Sequence, residues 1–190
     1  MEKDSITFSV RMTAKEVYRF TFYHVYHGFS GMFGLGLSIL ALVYLIINFN
    51  ETSDMGKTVL IIIAAWYTVF EPVMMMSRSK SQVKRNKAYQ KPLNYRLDAD
   101  GITVSQDEQQ QTMTWDKITK IVETKSQFLV YSSRIHSFIF PKSMLDGREK
   151  DMRYLLIQYT LDSNVKVKGK LRRLYNLARY HKDRFEEEVQ

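Results

Sequence analysis

The run "FSGMFGLGLSILALVYLIINF", Phe29 to Phe49, holds 21 residues and not one charge. At about 1.5 Å per residue, a helix of that length matches a hydrocarbon core of roughly 30 Å. Core helices of soluble proteins seldom exceed about 14 apolar residues in a row, so the run predicts a transmembrane span.

A second run, "TVLIIIAAWYTVFEPVMMM" from Thr58 to Met76, is interrupted only by Glu71 and Pro72. The segment between the runs, "NETSDMGK", is long enough to turn an antiparallel pair, so residues 29–76 predict a transmembrane hairpin. Flanking cations orient it, because Lys and Arg close to a span stay cytoplasmic. Arg78, Lys80, Lys84, Arg85, Lys87 and Lys91 follow the second run, and Arg11, Lys15 and Arg19 precede the first. The connecting segment carries Lys57 alone. The expectation is a multi-pass plasma-membrane protein with both termini cytoplasmic.

The 190 residues carry a net charge of +8 and no cysteine. That length leaves room for one small domain beside the hairpin, and the missing cysteine excludes disulfide and thiolate chemistry. "MEKDSITFSVRMTAKE" is charged and has no apolar h-region, so no cleavable signal peptide is expected there.

Ahead of the first span, "ITFSVRM" alternates like a short strand, and Thr13 with Glu16 three residues on forms a capping-box pattern. Residues 1–28 therefore predict a strand and an interfacial helix, whose Tyr18, Phe22, Tyr23 and Tyr26 suit headgroup level. Residues 77–91 read as a basic juxtamembrane linker.

From Pro92 the period changes to two. "LNYRLDADGITVS" predicts strand, turn at Asp100-Gly101, strand. "QQTMTW", "ITKIVETKSQFLVYSS" and "IHSFIF" supply further strands, and a helix follows from about Gly147. The fold class expected is α+β: a two-helix hairpin, then a small antiparallel sheet domain over 92–163 closed by a C-terminal helix. Residues 164–190 read as a basic amphipathic tail.

Over about residues 6–159 the chain resembles the YcxB-like family of bacterial membrane proteins. The most specific segments are W-D-K-I at Trp115 to Ile118, E-T at Glu123-Thr124 and F-P-K at Phe140 to Lys142. The resemblance implies a soluble part similar to pleckstrin-homology-like domains, a bent antiparallel sheet closed by a helix. It implies no activity, substrate or catalytic residue.

Glu71 is the residue most suggestive of function, because a carboxyl inside a span is costly. It lies only about 8 Å from the cytoplasmic end of its run. Pro72 lacks the N–H that would bond the carbonyl of Thr68, which predicts a kink. A hairpin symmetric about its loop sets residue 71 level with about residue 36, among Gly31, Gly34 and Gly36. Small residues there let two membrane helices approach closely. The readings open for Glu71 are helix contact, proton or ligand chemistry, and oligomer contact.

No nucleophile motif, metalloprotease helix or phosphate-cradling glycine loop is present. His24 and His27 share a helical face without a third ligand, so no metal is expected. His136 reads as a surface strand residue. No catalytic residue and no cofactor are expected, and the protein is read as a non-enzyme.

Two basic clusters carry the stronger signal. Residues 78–91 hold six cations and no acid, and residues 166–184 hold eight cations and one acid, Asp183. Arg78, Lys80, Lys84, Arg85, Lys87, Lys168, Lys170, Arg172 and Arg173 are candidate contacts for anionic lipid headgroups. Nucleic acid is not expected, because the tail's apolar residues, Leu171, Leu174, Tyr175 and Ala178, read as a buried-type stripe rather than as aromatic stacking positions between cations. The expected role is a binding or scaffolding module for a protein partner or the anionic inner leaflet. The alternative is a membrane effector or immunity factor whose hairpin oligomerises or caps another membrane protein.

Overall fold

In the computed structural model, residues 4–133 and 136–188 are described. Met1–Lys3, Arg134–Ile135 and Val189–Gln190, with which several expected segments begin or end, lie outside the described residues. The described chain divides into two compact units. One comprises residues 12–87; the other comprises residues up to 11 and from 88 onward.

The first unit is helical. α1 (Ala14–Tyr26) is capped by Thr13, whose hydroxyl accepts from the Glu16 N–H, as the capping pattern requires. α2 (Phe29–Ile47) starts after Gly28 and carries no charge. α3 (Asp54–Ala65) starts at a Ser53 cap and passes through a five-residue π-helical turn, Trp66–Phe70, into α4 (Glu71–Arg85). Pro72 accounts for that turn. It offers no N–H to the Thr68 carbonyl, so the ladder widens and the Glu71 N–H reaches back to Trp66.

Both α2 and the 32-residue helix from Asp54 to Arg85 are long and apolar enough to cross a membrane. Their outer faces expose large apolar side chains, from Phe33 at 65% and Leu40 at 67% to Ile61 and Ile62 at just over half. α2 buries a row of mostly small residues, Gly31, Gly34, Ser38, Ala41 and Leu45, at the i, i+3, i+4 spacing of one helix face.

The second unit is α+β. β1 (Ile6–Val10) turns Ile6, Phe8 and Val10 inward and Thr7 and Ser9 outward. It pairs with β2 (Leu93–Asp98), which continues antiparallel to β3 (Gly101–Gln106) and β4 (Gln109–Met113). Gly101 makes the β2–β3 turn at φ +140, and an added Cβ would lie 2.2 Å from the Met113 carbonyl oxygen, so only glycine fits.

The second sheet has the order β7-β6-β5-β8, from Ser137–Pro141, Gln127–Tyr131, Lys120–Glu123 and Lys166–Gly169. Two points differ from the sequence expectation. The described residues form two four-stranded sheets rather than one small sheet, and β8, drawn from the expected basic amphipathic tail, runs parallel to β5. "KVKG" is too short for its alternation to register in a sequence, and its pairing is set by a partner some 46 residues away.

Aromatic rings join the unit's elements. Phe140 of β7 meets Phe8 edge-on at 5.3 Å and Tyr95 at 5.0 Å between centroids. α5 (Glu149–Thr160) buries Met152, Leu155 and Leu156 completely. α6 (Leu171–Glu188) follows β8 and packs through Leu171 and Tyr175, whose hydroxyl donates to the Thr160 carbonyl at 2.9 Å.

Candidate functional site

Glu71 stands where the π-helical turn resumes α-helix, half-buried, with Arg78 Nη1 4.0 Å from its carboxylate. Its charge also reaches Tyr26 of α1, whose phenol is pushed up first by burial and then by this carboxylate. Tyr26 in turn donates to the Tyr67 carbonyl. Glu71 thus neighbours Tyr26 and an arginine two turns along its own helix.

The glycine face lies elsewhere than hairpin symmetry suggests. Ser38 Oγ donates to the Ile63 carbonyl at 2.8 Å, and a Cβ on Gly34 would fall 2.2 Å from the Tyr67 ring. Carried one turn further, that register sets residue 71 level with residue 30. The reason is the loop, since α2 ends at Ile47 and α3 begins at Asp54, four residues before the apolar run. Gly31 lies against the Val25 backbone, whereas Gly36 meets nothing within 4 Å.

α4 sorts its side chains by face. Met75 and Ser79 are buried, with the Ser79 hydroxyl donating to the Met75 carbonyl at 2.8 Å. Arg78, Lys80, Lys84 and Arg85 are exposed, as is Lys87 just after the helix. The segment read as a basic linker is therefore helical through Arg85.

In the sheet unit, the expected cations Lys168 and Lys170 are exposed at β8 and the turn after it, and Arg172 and Arg173 are exposed at the start of α6. Beyond the buried pair Leu171 and Tyr175, α6 presents a second apolar ridge: Leu174, Leu177 and Tyr180, exposed by 47%, 54% and 57%. A groove of about 670 Å³ lies between α6 and α5, lined by Leu174 and Leu177 from α6 and by Arg153, Tyr154, Ile157 and Leu161 from α5 and its end. The tail thus buries one apolar face and exposes another among arginines and lysines. Leu171, Leu174, Tyr175 and Ala178 form one stripe at helical spacing, of which the fold buries Leu171 and Tyr175 and leaves Leu174 exposed.

The residues that carry the family resemblance are structural. Trp115 is buried, donates from Nε1 to the Asp98 carbonyl at 2.8 Å and stacks on Tyr159 at 5.4 Å. Glu123 and Lys142, from the E-T and F-P-K segments, meet. The Lys142 ammonium lies 2.5 Å from Glu123 Oε1, and Arg153 Nη2 lies 2.8 Å from the same oxygen. Glu149 is 3.1 Å from Arg153 and 3.7 Å from Lys142. The Glu123 side chain is fully buried. Burial pushes its carboxyl up, but hydrogen bonds from Arg153 and Lys142 outweigh that and hold it below the ordinary carboxylate range. Arg153 had no signal in the sequence.

His27 stacks on Tyr23 at 4.0 Å between centroids, and His24 tilts against Phe20 at 5.9 Å. Each histidine extends a ring contact along α1 from the residue four before it. Among the described residues no group of three His, Asp or Glu side chains is arranged to hold a metal.

Residues 97–156 match the family described as YcxB-like protein. The match begins at Leu97 on β2 and takes in Trp115, Glu123, Lys142 and Arg153. No curated protein matches the chain at a significant level.

Proposed function

We propose that this chain, YcxB-like over residues 97–156, is an integral membrane protein whose two-sheet unit is a pleckstrin-homology-like binding module for the anionic inner leaflet. α2 and the helix from Asp54 cross the bilayer as a hairpin, and both termini are cytoplasmic. Side chains such as Phe29, Phe33, Leu40 and Ile46, exposed by 65% or more, support the bilayer as their solvent. α2, at about 28 Å, fits the hydrocarbon thickness, whereas Asp54–Arg85, at about 48 Å, exceeds it. The excess is the amphipathic end bearing Arg78, Lys80, Lys84 and Arg85, suited to headgroup depth.

The observation that carries the binding role is the ridge of Leu174, Leu177 and Tyr180, half-exposed among Arg172, Arg173, Arg179 and Arg184. Apolar side chains that enter the acyl boundary beside cations that meet phosphate are the makings of an interfacial helix. Each cation near an anionic surface contributes about 1 kcal/mol, and salt screens that contribution.

The absence of cysteine makes a site-specific test clean. Leu177→Cys, labelled with an environment-sensitive fluorophore, is placed in the full chain in nanodiscs. Emission shifts to the blue with phosphatidylglycerol relative to phosphatidylcholine, and the shift is lost in about 1 M salt, where the screening length falls to roughly 3 Å. Identical spectra in the two lipids would overturn the leaflet reading.

A further inference from the structure

Lys120 and the β8 lysines are separated by more than forty residues, and the parallel pairing of β5 with β8 brings them together. Lys120 stands opposite Lys166, and Val122 stands opposite Lys168. Side chains alternate along strands, so Lys120, Lys166 and Lys168 occupy the same face. The Lys120 ammonium sits over the ring of Tyr131, its cross-strand neighbour on β6, 4.6 Å from the centroid. Tyr131 is itself buried, at 4% exposure.

Among the described residues, none of the three lysines forms an ion pair with an acid. This is an unfavourable arrangement for an empty surface. Like charges on adjacent strands repel, and partial burial removes water that would otherwise stabilise Lys120. The strain registers on Lys120, whose amine is held below the ordinary lysine value by burial and then by the charge of Lys168. A ring face meets part of the need, and an external anion would meet the rest.

We propose that Lys120, Lys166 and Lys168 form a binding site for a phosphate monoester. Three ammonium groups on two strands about 4.8 Å apart can surround a dianionic tetrahedral group from one side. A phosphodiester carries one charge and fewer free oxygens, and so fits them less well. The monoester has two sources, the headgroup of phosphatidic acid in the leaflet or a free phosphate. The lipid source rests on the leaflet reading above; the free source does not.

Lysine acylation read by mass spectrometry tests the site, because only the neutral amine reacts. The full chain is placed in phosphatidylcholine nanodiscs, alone, with inorganic phosphate, or with phosphatidic acid included. Phosphatidylglycerol at equal surface charge and chloride at equal ionic strength are the controls. A bound dianion raises the Lys120 amine back toward the ordinary lysine value and so slows its acylation, about tenfold for each unit regained, while Lys57 on α3 is unchanged. Slowing by both phosphate and phosphatidic acid supports the site for either source. Slowing by phosphatidic acid alone assigns it to the headgroup, and by phosphate alone to a soluble ligand. Lys168→Gln abolishes the slowing in each case.

No slowing by either, or equal slowing by phosphatidylglycerol, overturns the proposal. So does protection that survives Lys168→Gln. The emission shift at position 177 reports the leaflet reading separately, so the two can fail independently.

Discussion

Glu123→Gln lowers the stability of the sheet unit by about 3 kcal/mol, at the lower end of the 3–5 kcal/mol that follows when one partner of a buried ion pair is removed. The carboxylate has no exposed surface and is held by Arg153 and Lys142 together. Glutamine keeps the shape but leaves two cations, exposed by only 24% and 9%, facing each other with Glu149 as their remaining acid. Hydrogen exchange of the β5 and β6 amides in the full chain checks this, with protection expected to fall by roughly two orders of magnitude. Unchanged protection would mean that the cluster contributes nothing to stability. Acid should reproduce the loss. The Glu123 carboxyl sits below its ordinary value of about 4.3, so its contribution is complete above that pH and is lost as pH falls through the lower folded value. The wild type and the glutamine variant therefore converge in acid.

Gly34→Leu disrupts the helical unit, and Gly36→Leu does not. A side chain at position 34 must displace the Tyr67 ring, whose backbone carbonyl accepts from Tyr26, so the change disturbs three helical segments at once. Overpacking of this kind costs about 1–3 kcal/mol or more. Position 36 faces open space, and a change there stays within about 0.5 kcal/mol. Unfolding of the full chain in mixed micelles by added dodecyl sulfate distinguishes the two. Equal loss at both positions would place the contact register elsewhere. Glu71 lies one turn beyond Tyr67 and faces Arg78 rather than Gly34, so Glu71→Gln is expected to leave the Gly34–Tyr67 contact intact.

Much of the molecule was legible locally. Two charge-free or nearly charge-free runs predicted two long apolar helices, Thr13 and Glu16 predicted the start of α1, and Asp100-Gly101 predicted the β2–β3 turn. The W-D-K-I segment pointed to a resemblance to the YcxB-like family, and the match over residues 97–156 covers that segment. These signals are short-range, since a helix, a cap or a tight turn is decided by residues within one or two turns of one another. The candidate cations of α4 and α6 were legible for the same reason: charge is a property of the residue, and their exposure follows from it.

What crosses long separations was not legible. β8 pairs with β5 across 46 positions, and nothing in "KVKG" names its partner or its parallel direction. Hairpin symmetry set Gly36 beside Glu71, but four extra residues of helix before Thr58 moved the contact to Gly34 and Tyr67. Arg153 looked like an ordinary helix cation until the fold aimed it at a buried carboxylate. The sequence by itself determined which segments are apolar, which are charged and where the helices and turns begin. Tertiary structure alone decided which lysines share a face, which glycine is filled and which face of α6 stays open. The physical reason is that contacts between distant segments depend on register and closure, which no local periodicity encodes.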